Sequence, residues 1–479
     1  MKHRLLERGA GFPAISVLVV VLVVVLAFGA VGSPRYEIDL VTDWANGTYA
    51  GSLSVVVENP LDTPLDELIL RLFPNDDVVY AGALLRVHQA WLGGQQLEPA
   101  ASDDPTVFVL PLFEPLQPGQ TASVRLRFEG QAGPSPADVG HDASGYGMLT
   151  KNDSTLVLTA FYPMLSPFGE TGPIVRPPCD YGDALWGDAA EYMVRLTTAE
   201  SLSPISTGRL ASSDRLGEVT LHTFEASQAR DFALILTSGI PEIELQSGSR
   251  SLRAWFHPAR SEAAIQALSL ASSAADLFTA LIGPLPYNEI DLVEVPLHRA
   301  AGIEFTGLIL LSSTFTTAPR EVFFDILVSH EMAHQWFYAA VGNDPIASAW
   351  LDEGPATFLS NVFLDHVGRT ADADGERQRW GTSYEAAQNA APLSSLASAS
   401  CAFPSGTIYG DFVYEGGAHF LQTVRDEIGD DAFFTGLRGY YAAHVGSIGS
   451  THALLEAFED ACACDLSGIF ESFGVHRTP

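Results

Sequence analysis

VSHEMAHQWF (328–337) sets His330 and His334 four residues apart, with Glu331 directly after the first histidine. The surrounding PREVFFDILVSHEMAHQWFYAAV (319–341) reads as a helix, with Pro319 near its start and no internal glycine or proline before Gly342. On a helix, residues four apart share a side about 6 Å apart along the axis, which lets two imidazoles bind one tetrahedral Zn²⁺. Glu331 then sits where a carboxylate handles the proton of a water. The plain alternative is a helix carrying two ordinary histidines. A third ligand separates the two, because catalytic zinc takes three protein ligands and keeps a fourth position open. ASAWLDEGPATFLSNVFLDH (347–366) reads as the next helix, and its Glu353 lies 19 residues after His334. Asp352 is the rival ligand, its other reading being a charge at the helix N-terminus.

Working outward, SEAAIQALSLASSAADLFTALIG reads as an amphipathic helix among the strand-like segments LRAWFHP, EIDLVEVPL and LILLSS. The segments after the histidines are mostly helical. Asp325, five residues before His330, is expected on a solvated helix face. From Tyr36 to near Ile243 the pattern is different. SLSVVVEN, LDELILRLF, TVFVLPLF, TASVRLRFEG, TLVLTAF, EYMVRLTT and DFALILTSG alternate apolar and polar residues or run β-branched between turn clusters. The expected fold class is therefore α+β: an all-β domain at 33–247 followed by a mainly helical domain at 248–479.

Lys2, Arg4 and Arg8 precede an uncharged apolar run from Phe12 to Val31. About 20 such residues span a bilayer as a helix. Residues 12–32 are expected to be a transmembrane anchor behind a cytoplasmic tail at 1–11, with attachment to the membrane through this helix. The alternative is a cleaved signal segment, for which Ala27, Gly29, Ala30 and Gly32 offer small residues. Both readings export the remaining chain. The net charge of −33 and only two lysines, Lys2 and Lys151, exclude nucleic acid as a partner, because no basic stripe exists to neutralise phosphates. Cys179, Cys401, Cys462 and Cys464 form no paired CxxC pattern, so a disulfide is expected, joining Cys401 to Cys462 or Cys464.

HEMAHQWF…WLDEG resembles the aminopeptidase N family of gluzincin metallopeptidases. AGIEF (301–305) is similar to that family's Gly-x-Met-Glu-Asn exopeptidase motif, with the glutamate at Glu304 and departures at Ile303 and Phe305. YEGGAHFLQTVRDEIGDDAFFTGLRGYY (414–441) resembles the stretch that opens on the family's catalytic tyrosine, which falls on Tyr414, with Tyr409 as the alternative. The resemblance covers most of residues 36–479 and implies a thermolysin-like catalytic domain holding one Zn²⁺ on His330, His334 and Glu353. It further implies Glu331 as proton acceptor and donor, and Tyr414 as donor to the oxyanion. Backbone at Gly302 and Ile303 would hold substrate as an added strand, and Glu304 would bind a free α-amine. The expected activity is removal of N-terminal residues from peptide or protein substrates. Broader peptidase action and a non-catalytic binding module stand as alternatives, and oligomeric state is left open. Two departures bear on this. FYPMLSPFGETGPIVRPPCD (161–180) lacks the glutamine that the family's amine-binding segment carries. Only 65 residues follow Tyr414, where long family members continue into a helical domain, so a more open cleft is expected.

Overall fold

Alternation along TASVRLRFEGQ sends every second side chain to one face of a strand. In the computed structural model, which describes residues 32–139, 145–177, 179–319 and 321–475, this segment is the strand Thr121–Gln131. Its Ala122, Val124, Leu126 and Phe128 are buried in the core of the first half. The strand pairs antiparallel with Thr48–Glu58 and Leu84–Leu92 in an eight-stranded sheet. Arg35–Asp43 joins this sheet beside Thr48–Glu58 and pairs parallel with Ala190–Ala199, so the chain crosses over between them. Smaller sheets complete the β half.

All seven expected strand segments form strands. Four long ones were not expected: Arg35–Asp43, Leu84–Leu92, Arg209–Leu216 and Val219–Ala229. Arg209–Leu216 shows why. It is the edge of the eight-stranded sheet and all its residues are exposed, so no apolar alternation marks it.

The second half begins on a five-stranded sheet, ordered Glu242–Ser247, Arg250–Trp255, Glu289–Val295, Leu308–Ser312 and Gly302–Phe305. Gly302–Phe305 is its edge, paired on one side only, antiparallel to Leu308–Ser312. The helix Ser261–Leu281 packs an alanine-rich face, including Ala264, Ala267, Ala271 and Ala275, into the second core. Among the described residues it is also the one helix long and apolar enough to cross a membrane, yet that face is core. The expected anchor at residues 12–32 lies outside the described residues, apart from Gly32.

Helices Val322–Ala333, Trp350–His366, Thr370–Ala390 and Gly417–His444 enclose the site. Gly354 and Gly417 meet where two of them cross: a methyl on Gly417 would lie 2.8 Å from the Gly354 Cα. The expected helix over 319–341 is shorter than its composition predicts, with His334 as its C-cap. The reason is tertiary. The buried Arg230 guanidinium donates to the carbonyls of Tyr338 (2.7 Å), Ala340 (3.1 Å) and Ser447 (2.6 Å), so the backbone turns away to meet it. Tyr338 takes φ 129° in this turn, and its hydroxyl donates to Asp231 at 2.8 Å. Arg230 and Asp231 thus tie the β half to the helical half.

The cysteines pair differently from expectation, as Cys179–Cys401 and Cys462–Cys464. The first bridge joins an arm of the β half to the turn ahead of Tyr414. Arg176 pairs with Asp344 at 2.9 Å, and the Tyr181 hydroxyl donates to the Phe403 carbonyl, fastening the same arm. Asp325 is buried and paired with Arg369 at 2.7 Å, not solvated as expected.

Candidate metal centre and cleft

One helix turn brings His330 and His334 together, and the crossing at Gly354 brings Glu353 to them. The two Nε2 atoms lie 3.1 Å apart. Glu353 Oε2 is 3.1 Å from His330 Nε2 and 3.3 Å from His334 Nε2. Ligands bound to one tetrahedral zinc at 2.0–2.1 Å stand about 3.3 Å from each other, so this triangle has the size of one face of that tetrahedron. The His334 ring is turned by its other nitrogen, with Nδ1 3.1 Å from the Phe337 carbonyl oxygen. A hydrogen on Nδ1 leaves the Nε2 lone pair facing the triangle.

The electrostatics favour a cation at this point. Burial pushes Glu331 up to about 8, with His334 opposing and Glu353 and Asp183 adding. Burial also raises Glu304 far above the carboxylate range, against the pull of His334. Burial lowers His330. His334 resists the same effect, because Glu304, Glu353 and Glu331 surround it and hold its pKa high. Glu353 is depressed despite burial, through His334 and the hydrogen bonds from both rings. Two imidazoles do not offset this many buried carboxylates, so the donor set fits a divalent cation. Glu331 Oε2 is buried without a hydrogen-bond partner, beside the triangle.

A cavity of about 820 Å³ opens onto the triangle. Its lining includes Gly302, Ile303 and Glu304 of the edge strand. A side chain at Gly302 would overlap the Glu331 carboxylate, so only glycine lets the strand run this close. Ile303 is buried between Gly302 and Glu304 on the same strand. Glu304 lies deeper, 3.9 Å from His334 Nδ1. Tyr414, on the π-helical turn Asp411–Gly416, donates its hydroxyl to Glu353 Oε1 at 2.5 Å, with its ring stacked on His330.

The rivals fall away from the centre. Asp352 is buried and accepts from the Glu353 N–H at 2.8 Å, a helix-start role, and it does not join the triangle. Tyr409 packs its hydroxyl against Gly182, behind Tyr414. Asp183 was missed. It lines the cavity, and burial raises it to about 7, with Glu353 adding to the rise. The only sequence signal was its place just past the Pro-Cys stretch of the disulfide-fastened arm.

Two histidines and a glutamate thus converge near an edge strand, where a β half meets a sheet-and-helix half, as a candidate metal centre. Residues 272–473 match the Peptidase family M1 domain. That match covers most of the helical half and includes His330, His334, Glu353 and Tyr414. Aminopeptidase N of Escherichia coli (strain K12) is 25% identical over 199 residues, 39% of this chain and 22% of that protein. Aminopeptidase M1-D of Oryza sativa subsp. japonica is 23% identical over 451 residues, 89% of this chain and 48% of that protein. The chain therefore spans about half the length of the second relative and less of the first. The fold matches the crystal structure of an M1 zinc metallopeptidase from Deinococcus radiodurans with TM-score 0.67 and 21% identity, covering 94% of this chain and 96% of that one. A mutant of that protein bound to a Tyr-Ser-Ala substrate matches with TM-score 0.63 and 20% identity over the same shares.

Proposed function

We propose that the chain is a zinc-dependent aminopeptidase, with His330, His334 and Glu353 as the metal ligands. The observation that carries this reading is the 3.1–3.3 Å triangle of their ligand atoms. A bound Zn²⁺ supplies Lewis-acid chemistry, lowering the pKa of water and polarising a carbonyl. Glu331, with one carboxylate oxygen free inside the buried site, accepts the attacking water's proton and returns it to the leaving amine. The Tyr414 hydroxyl, beside the triangle, donates to the oxygen on which negative charge develops. Gly302 and Ile303 offer the unpaired side of an edge strand to an extended peptide. Glu304 meets the peptide's α-ammonium, which relieves the cost of its buried carboxylate; a blocked amine leaves that carboxylate unpaired. The Tyr-Ser-Ala ligand of the Deinococcus radiodurans protein agrees with a peptide in such a cleft.

Hydrolysis of a free peptide and of its N-acetylated form tests the reading. The free peptide should be cut from its N-terminus at least about 100-fold faster, the order expected when a buried polar group is left unpaired; equal rates would remove the role of Glu304. Export, with a membrane anchor at residues 12–32, belongs to the same proposal. Two disulfides suit a chain that matures in an oxidising compartment. Recovery of the full chain in washed membranes is the expected result of fractionation.

A further inference from the structure

The cavity around the triangle is acidic, with Asp180, Asp183, Glu376 and Asp411 on its walls besides the carboxylates already described. Two arginines also line it. Arg379 is held by Glu376 and Glu415. Arg299 is exposed at the cavity wall and forms no ion pair or hydrogen bond among the described residues. Its backbone sits at φ 64°, a left-handed conformation disfavoured for a residue with a Cβ. Such a conformation persists where its surroundings fix it. Here the His298 N–H donates to the Tyr146 carbonyl at 3.0 Å, and the Ser312 N–H donates to the Ala301 carbonyl at 2.8 Å. The bend is pinned on both sides of Arg299, and it presents a lone cation to an acid-lined cleft.

The position of Arg299 gives that cation a meaning. Along the edge strand, Gly302 and Glu304 point to one face. Gly302 faces Glu331, and Glu304 lies near His334, at the deep end. Going from Glu304 past Gly302, the chain leads outward to Arg299, three residues beyond Gly302 and so at most about 10 Å from it. A peptide whose ammonium meets Glu304 and whose cleaved bond faces Glu331 runs the same way. Its next two residues reach about 7 Å along that span, and the long arginine side chain covers the remainder.

We propose that Arg299 binds the terminal α-carboxylate of a short peptide, two residues past the cleaved bond, and so selects tripeptides with a free C-terminus. The proposal rests on the aminopeptidase reading above. Charge-assisted hydrogen bonding from a guanidinium is the interaction that separates a carboxylate from its neutral amide.

The test compares kcat/KM of the wild type on Leu-Gly-Gly free acid, on Leu-Gly-Gly amide and on Leu-Gly-Asp amide. The free acid should be favoured over Leu-Gly-Gly amide by roughly 10- to 100-fold, the range of one charge-assisted hydrogen bond. Arg299→Asn removes the charge while tolerating the left-handed backbone, and it should bring the acid-to-amide ratio close to one. Arg299→Lys, which keeps a point charge without the fork, should retain part of the ratio. Equal rates on free acid and amide in the wild type, or an unchanged ratio in Arg299→Asn, would overturn the role of Arg299 alone. Leu-Gly-Asp amide matching the free acid would also overturn it, by making a side-chain carboxylate sufficient. Cleavage of none of the three peptides would overturn the aminopeptidase reading itself, and the inference with it.

Discussion

Gly417→Ala should leave the protein folded and take away most of its activity. The added Cβ would stand 2.8 Å from the Gly354 Cα and 3.5 Å from the Gly354 nitrogen. Carbon atoms prefer about 3.5–4.0 Å, so the two helices must part by roughly 1 Å. Overpacking of this kind costs about 1–3 kcal/mol. Alanine recovers about 1 kcal/mol of that through its better helix propensity. The net loss of about 0–2 kcal/mol is survivable for a domain with a sizeable core. Catalysis is less forgiving. Gly354 follows Glu353 directly, and Tyr414 lies three residues before Gly417. The parting therefore falls on the 2.5 Å contact between the Tyr414 hydroxyl and Glu353. A displacement of about 1 Å at a reacting centre costs on the order of 100-fold in rate. Thermal unfolding, read beside kcat/KM on leucine p-nitroanilide, separates the two effects. A folded variant with activity within about threefold of wild type would refute the reasoning, because the glycine contact would then not be positioning the tyrosine.

Three further outcomes follow from particular residues. Burial raises Asp231 to about 6, against hydrogen bonds from Tyr338, Thr306 and Thr207. A folded pKa above the unfolded value gives stability that is present below about pH 4 and is lost as the pH rises through 6. Asp231→Asn should remove the fall of about 3 kcal/mol in the urea-unfolding free energy that the wild type shows across that window. The Cys179–Cys401 bridge closes a loop of 222 residues and fastens the arm that carries Asp183 into the cavity. The paired Cys179→Ser, Cys401→Ser variant should lose about 2–4 kcal/mol, with KM rising more than kcat falls, as calorimetry and steady-state kinetics would record. Glu304→Gln should reduce the preference for free over N-acetylated peptides, seen as a falling ratio of the two kcat/KM values.

The site was legible where its chemistry is local. Histidines four apart fix their own geometry on a helix, and Glu353 needed only the next helix. AGIEF and Tyr414 were placed by resemblance, and the cavity gathers both. What the sequence concealed depends on distant partners. The helix stops at His334 because Arg230, 108 residues before Tyr338, claims the following carbonyls. Nothing near Trp336 signals that. Asp183 reaches the cavity on an arm whose bridge, Cys179–Cys401, no spacing rule predicts. The exposed Arg209–Leu216 strand is held by its neighbour Val219–Ala229, so its own residues carry no mark of a buried face. Asp325 looked solvated until Arg369, on the far side of the next helix in sequence, covered it.

The most direct measurement is zinc content and turnover together, on the wild type, His334→Ala and Glu331→Gln, each purified under the same conditions. About one zinc per chain is expected in the wild type and in Glu331→Gln, with a large loss of zinc in His334→Ala. Peptide hydrolysis should be full in the wild type, lower by about 10²–10⁴-fold in Glu331→Gln despite its metal, and lost with the zinc in His334→Ala. Full zinc in His334→Ala, or hydrolysis by Glu331→Gln at the wild-type rate, would rule out this metal centre and its proton acceptor.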